Sequence, residues 1–382
     1  SQATNPRPGA SSAQMEAFPR SRAEIERGLA RGWHTGAQVF AALNGQVVAD
    51  FAVGEARPGR PMATSTIVEW ASATKVVTCG AAAMLWQRGP FGLDDPVCQY
   101  IPEFATAGKD KVTIRHLLTH TGGLTDPTED LMPFAEAVAA VCAAPLINGW
   151  VPGARCAYNS VGMWIVAELV ARSSGRPFSE FVREEMFEPL GLIDSWIGVP
   201  VDTFRAYGDR VAVIPNVKES GTEAWVTWGR PTGGGFGPIR DLGRYYVSLL
   251  EHRLLAAPIV EAMTTRHLCG VYDERLETHV DRASGSCSAP RTGGTASGRT
   301  RRSARSATAD ASGASRSPIP NAISRWRCTG TASPTSRRTR TDSMRCWAIS
   351  TLTSAWRRAH EAAWRRFGVR AWHTFVTASV PY

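Results

Sequence analysis

Lysine is almost missing from this chain of 382 residues, with 4 lysines against 39 arginines. Long apolar runs are missing too. No stretch of about 18 apolar residues occurs, so no membrane-spanning helix and no membrane partner are expected. The first residues, Ser1-Gln2-Ala3-Thr4-Asn5-Pro6-Arg7-Pro8, lack the basic-then-apolar order of a secretory signal. A cytoplasmic location is therefore expected, with a signal removed ahead of residue 1 left open. The chain has 8 cysteines but no Cys-x-x-Cys pair. Cys79, Cys98, Cys142 and Cys156 accordingly read as free thiols of a reducing compartment.

Acidic residues are scarce in one part only. The net charge of +9 is the balance of two unlike regions. Residues 1–281 hold 25 Lys and Arg against 31 Asp and Glu, a net of −6, whereas residues 282–382 hold 18 Arg and 3 acids, a net of +15. The overall basicity therefore does not describe the body of the protein, and no nucleic-acid partner is expected. The 43% hydrophobic content is that of an ordinary globular protein.

Along the chain, residues 1–18 form a lead and residues 19–32 have helical spacing. Residues 36–54 read as a hairpin, two apolar runs flanking Asn44-Gly45. A Pro/Gly loop at 55–66 leads to a helix that follows Ser72 and ends near Gly89-Pro90. Thr113 caps a short helix within 112–120. Helices are expected at 129–144, 160–174, 178–187, 241–250 and 258–264. Short strands are expected at 189–198, 211–214 and 225–228, and a glycine-rich turn at 233–237. The order predicts an α+β fold with a mixed, mainly antiparallel sheet flanked by helices. Residues 19–75 and 205–382 would form the α/β region, with 76–204 an inserted, mainly helical region.

The stretch with chemical content is Ser72-x-x-Lys75. Positions i and i+3 share one helix face. A serine at the helix mouth lies where unpaired N–H groups and the positive dipole end favour developing negative charge. A desolvated amine beside the hydroxyl helps to deprotonate it. The plainer reading is a helix cap and a surface lysine. Among other candidates, His116 and His120 have an i, i+4 spacing suited to zinc, but no third ligand is apparent, and no metal is expected. The glycines at 233–237 lack the following Lys-Ser/Thr of a phosphate loop. Trp225, Trp228 and Phe236 would line an acyl or leaving-group pocket or belong to the core, and Trp70 is equally ambiguous.

Taken together, several landmarks resemble the serine β-lactamase/penicillin-binding-protein superfamily, most closely its class C-like, esterase-type branch. They are Ser72-x-x-Lys75, Leu93-Asp94-Asp95-Pro96, the run 114–124 (Ile-Arg-His-Leu-Leu-Thr-His-Thr-Gly-Gly-Leu), Pro152-Gly153, and Tyr158 six residues after Pro152. The resemblance covers roughly residues 20–281 in the right order and implies a β-lactamase-like fold. It also implies Ser72 as acylated nucleophile, Lys75 as its proton partner and Tyr158 as general base. A nearby ammonium lowers a phenol's pKa and makes that role chemically reasonable. The family usually has Asn two residues after this tyrosine. Here Ser160 takes its place, which argues against recognition of a lactam amide. The backbone N–H of Ser72 would be one oxyanion donor. No cofactor is implied.

The family closes its site with a later strand bearing Lys-Thr-Gly, His-x-Gly or Trp-x-Gly, and residues 282–382 show no such strand. Arg291-Thr292-Gly293-Gly294 imitates the triplet, but Ser, Pro and Gly flank it. A reading-frame shift near residue 281 accounts for this composition, because a GC-rich gene read out of frame yields Arg, Ser, Thr, Ala and Pro. Joining the last base of each codon to the first two of the next permits Gly-Leu-Gly at 282–285 and Phe-Gly-His-Ser-Gly at 305–310. Another apolar, strand-like segment is permitted at 316–328. The gene sequence decides: stop codons in that frame would exclude the shift. The other reading is a basic, low-complexity tail. The expected function is a carboxylesterase acting on a small-molecule acyl substrate. The open alternatives are a transacylase of secondary metabolism, a β-lactamase or D-amino peptidase, and an inactive homologue with a basic tail.

Overall fold

A computed structural model describes residues 18–215, 217–283 and 373–381, the last segment as backbone only. Residues 1–17 of the N-terminal lead and residues 284–372 of the stretch suspected to be out of frame, Arg291-Thr292-Gly293-Gly294 among them, lie outside the described residues, whereas Phe18, Arg282 and Ala283 are described.

The protein is α+β. Helix α1 (Pro19–Ala30) starts with proline at its first position, where the missing N–H costs nothing. It lays Ile25 and Leu29 against one face of a sheet. Strands β1 (His34–Leu43) and β2 (Gln46–Arg57) form the expected hairpin. Asn44 (φ 51°) and Gly45 (φ 77°) both take the left-handed conformation that a tight two-residue turn demands. The short β3 (Arg60–Pro61) pairs with β2. With β9 (His373–Pro381) the sheet order is β3-β2-β1-β9. Strand β9 pairs antiparallel with β1 and was not anticipated from the sequence.

The other face of the sheet carries α9 (Ile239–Leu250), whose Ile239, Leu242 and Tyr245 share a core with Phe40. At the centre of that core is α2 (Thr74–Arg88), which follows a one-turn 3₁₀ segment, Ala71–Ala73. Helix α2 is buried almost all round, as its Val-Val-Thr-Cys-Gly-Ala-Ala-Ala-Met-Leu run requires. The small residues allow neighbours to approach closely. A Cβ at Gly80 would lie 2.0 Å from the Tyr245 hydroxyl. The helical region comprises α3 (Ile114–Leu118), α4 (Phe134–Ala143), α5 (Gly162–Ser174) and α6 (Phe178–Val182), the last running into a π turn at Arg183–Phe187. Helix α3 starts with a complete capping box between Thr113 and His116.

A second sheet of order β4-β6-β5 joins β4 (Val68–Glu69), β5 (Trp196–Ile197) and β6 (Gly235–Gly237). Between β5 and β6 lie α7 (Val201–Tyr207) and α8 (Glu223–Thr227). The strand expected at 225–228 is therefore a helix. Thr222 caps it by accepting from the Trp225 N–H, and Glu223 stands in its first turn, so local capping outweighs the β-propensity of Trp and Val. Residues 211–214 contribute a single bridge, Val211 to Ile67, rather than a strand. Of the expected glycine-rich turn at 233–237, Gly233 lies in a turn, while Gly235–Gly237 form the central strand of this sheet. After α10 (Ala257–Thr264) comes an unanticipated hairpin of β7 (Leu268–Asp273) and β8 (Thr278–Arg282).

Candidate active site

Ser72 lies in the 3₁₀ turn that opens α2, and this turn is held from both sides. The preceding Trp70 gives its backbone N–H to the Gly235 carbonyl at 2.8 Å and its indole N–H to the Gly237 carbonyl at 3.0 Å. The following Thr74 accepts the Gly235 N–H at 3.0 Å. Strand β6 can approach this closely only because positions 235 and 237 are glycine. A Cβ at Gly235 would meet Thr74 Oγ1 and the Trp70 ring at 2.7 Å. Ala71 has φ +46°, a left-handed conformation that costs a non-glycine residue about 1 kcal/mol or more and is stored beside Ser72.

Lys75 is 2% exposed. Its Nζ donates to Ser72 Oγ at 3.0 Å and to the Thr232 carbonyl at 2.9 Å. It also lies 5.2 Å from the centroid of the Tyr158 ring. One ammonium thus touches the hydroxyl and faces the phenol ring, so the structure brings Ser72, Lys75 and Tyr158 together. A buried ammonium is tolerable only with such acceptors. The loop that supplies the Thr232 carbonyl is pinned in turn, with the Pro231 carbonyl accepting from Thr78 Oγ1 at 2.7 Å.

Tyr158 is buried, and its backbone N–H lies 3.1 Å from both carboxylate oxygens of Asp273. The His120 ring packs tilted against its ring, with centroids 4.8 Å apart, and the guanidinium of Arg282 lies 5.5 Å from the same ring. Asp273 and Arg282 form a fully buried ion pair. Burial raises the Asp273 carboxyl, but Arg282 and the N–H groups of Leu276 and Tyr158 outweigh it and hold it below the usual carboxylate range. His120 is held well below its ordinary value, first by burial and then by the charges of Arg282 and Lys75.

The remaining expected site residues have different surroundings. Ser160 is half-buried, and its carbonyl accepts the Met163 N–H at 3.0 Å. Phe236 is 2% exposed and packs with Ile67, Val199, Val211 and Val226. It belongs to the core, because alternate positions of so short a central strand must face inwards. Trp225 is buried, and its indole N–H donates to Glu69 at 3.1 Å. Trp228 is half-buried and donates to the Met132 carbonyl at 2.9 Å. Arg230 pairs with Glu69 and stacks 3.9 Å from Trp225 and 4.9 Å from Trp228. The two tryptophans therefore hold the Thr232 loop in place, and only Trp228 keeps appreciable exposure. His116 completes the α3 capping box, and His120 Nδ1 accepts the Asn159 N–H at 3.3 Å. Among the described residues no group of three His, Cys, Asp or Glu side chains is arranged to hold a metal. None of their helices is long and apolar enough to cross a membrane.

Sequence reasoning missed Thr232, Arg230, Asp273 and Arg282. Thr232 acts through its carbonyl, which carries no sequence signal. The partners of Arg230 and Arg282 are distant in sequence or belong to a hairpin that was not foreseen.

Residues 22–303 match the beta-lactamase family model, and the chain belongs to that family of serine hydrolases. It is 32% identical to esterase EstB of Burkholderia gladioli over 183 residues, which cover 42% of this chain and 46% of the relative. The match thus spans less than half of that relative's length. Among solved structures, a penicillin-binding-protein homologue from Caulobacter crescentus superposes with a TM-score of 0.62 at 26% identity. The alignment covers 74% of this chain and 82% of the homologue. A family VIII carboxylesterase has the same TM-score at 24% identity, covering 70% and 80%. That last likeness speaks for the fold alone.

Proposed function

We propose that the protein is a carboxylesterase acting on small or medium esters through an acyl-enzyme at Ser72. The observation that carries this reading is the contact of the buried Lys75 ammonium with Ser72 Oγ at 3.0 Å, beside the Tyr158 ring. In the proposed sequence the Tyr158 phenolate, stabilised by Lys75, takes the Ser72 proton as Oγ attacks the ester carbonyl. The backbone N–H of Ser72 donates to the developing oxyanion. The alcohol leaves with a proton returned from Tyr158. Water then enters by the same route, forming the acid and freeing Ser72. Nucleophile and proton transfer are both supplied by the chain, so the reading calls on no cofactor.

An ester is favoured over an amide or lactam by the surroundings of Tyr158. Ser160 takes the place, two residues after Tyr158, where the family usually has Asn, a carboxamide that would serve to recognise an amide. The neighbouring Asn159 carboxamide is committed internally, donating to the Leu124 carbonyl and accepting from the Val161 N–H, both at 2.6 Å. The similarity to an esterase supports the same choice. An acyl-enzyme of this kind also serves a transacylase, in which an alcohol or amine replaces water.

Intact-mass spectrometry after treatment with a fluorophosphonate tests the proposal. One adduct is expected, on Ser72, and none on Ser72→Ala. Turnover of short p-nitrophenyl esters should exceed that of a chromogenic cephalosporin or a D-Ala peptide. An added alcohol or amine that diverts product faster than hydrolysis would identify a transacylase. An unmodified chain, or an adduct on another residue, would overturn the assignment.

A further inference from the structure

The ion pair of Asp273 and Arg282 lies outside the trio assigned to catalysis, yet both members converge on Tyr158. Each is fully buried. Burying two charges is costly, and a buried pair is weak evidence of stabilisation by itself. This pair is nevertheless held with care. Asp273 takes N–H groups from Tyr158, Arg275 and Leu276 at 3.0–3.1 Å. Arg282 Nε contacts Cys156 Sγ at 3.2 Å, two residues before Tyr158. Residue Cys156 also forms a bridge with Asp273, and its carbonyl accepts the Glu274 N–H at 2.9 Å. The β7–β8 hairpin is thus fastened to the Tyr158 segment through backbone and side chain together.

Resting on the reading of Tyr158 as general base, we infer that Asp273 and Arg282 are positioning residues for it. Asp273 fixes the tyrosine backbone, and Arg282 presents a second positive charge to the ring and favours the phenolate. The charged and titratable groups facing the ring are Lys75 from α2, His120 after α3, Asp273 from β7 and Arg282 from β8, with the Cys156 thiol next to the pair. His120 packs against the same ring, and its pKa is lowered by burial, Arg282 and Lys75 and raised by Asp273. Two cationic groups, Arg282 at 5.5 Å and Lys75 at 5.2 Å from the ring centroid, thus face Tyr158, and nearby positive charge favours an anion.

The test is a titration of the full chain labelled with tyrosine carrying ¹³C at Cζ, whose shift reports phenol ionisation without any turnover. The chain has 7 tyrosines, and Tyr158→Phe identifies the resonance. Tyr158 should titrate below the ordinary phenol value of about 10. Arg282→Gln should raise that titration by about one pH unit, lowering kcat/KM at neutral pH about tenfold, with recovery in more basic buffer. Arg282→Lys should restore most of the wild-type profile. Asp273→Asn, which removes the opposing charge, should move the titration the other way, and it decides the matter if Arg282→Gln does not fold. A folded Arg282→Gln or Asp273→Asn whose Tyr158 titrates as in the wild type overturns the inference, as does a wild-type Tyr158 titrating at 10 or above. Fluorophosphonate labelling of Ser72 is read separately, so the inference can fail while the acyl-enzyme stands.

Discussion

The two halves of the candidate site are built by different means. Ser72 and Lys75 are three residues apart, and helical geometry alone places them on one face. Tertiary contacts then only tighten the arrangement, with β6 locking Trp70 and Thr74 and the Thr232 carbonyl holding the ammonium. Tyr158 is different. It lies in an irregular segment with no helix to aim it, and its backbone, ring and charge surroundings come from Asp273, His120 and Arg282. A local half can be specified by a short motif, whereas a non-local half needs the completed fold.

This contrast can be broken or sharpened by experiment. The largest expected effect is at the residue common to both halves. Lys75→Ala should lower kcat for a p-nitrophenyl ester about 10³-fold, in the range for loss of positioned proton transfer, with the thermal unfolding midpoint little reduced. Equal loss of activity and stability would mean that Lys75 is structural. Next is Gly235→Ala, which adds a methyl 2.7 Å from Thr74 and Trp70. It should cost about 1–3 kcal/mol in urea unfolding and slow acylation of Ser72, because the overpacked groups flank the nucleophile. A neutral result would show that the Ser72 half does not depend on β6.

The smallest expected effect is a pH dependence confined to the Tyr158 half. Burial, Arg282 and Lys75 hold His120 neutral in the folded chain. Acid therefore favours the unfolded state, whose histidine takes up the proton. Stability should fall by about 1.4 kcal/mol per pH unit as pH drops below about 6.5, and His120→Gln should remove that slope. Asp273, held below its usual range, contributes a separate loss at lower pH, as acid passes below the ordinary carboxylate value of about 4 and through the folded one. Urea midpoints measured from pH 7 to 5 would check the His120 slope. A flat wild-type profile would contradict the burial of a neutral His120.

The helices and the Asn44-Gly45 hairpin were legible because their signals are local: periodic apolar residues, a capping threonine, a turn that only certain residues accept. The misread segments failed for equally physical reasons. At 225–228 the cap at Thr222 outweighed β-propensity, and Gly235–Gly237, read as part of a turn, pair with β4 and β5 as a strand, with Trp70 and Thr74 leaving no room for a side chain at Gly235. Phe236, between two such glycines, became core because it packs among Ile67, Val199, Val211 and Val226. The β7–β8 hairpin has polar tips and mixed burial, so its pattern is weak, and with it the Asp273–Arg282 pair was invisible.

By itself the sequence determined the family, the α+β order of its elements and the Ser72–Lys75 pair, because these depend on residue type and on spacing within a single helix. Only the tertiary structure decided what surrounds Tyr158 and what anchors Lys75. Those surroundings are made by carbonyls, rings and charges from segments up to more than a hundred residues away, and no local pattern records which of them will meet.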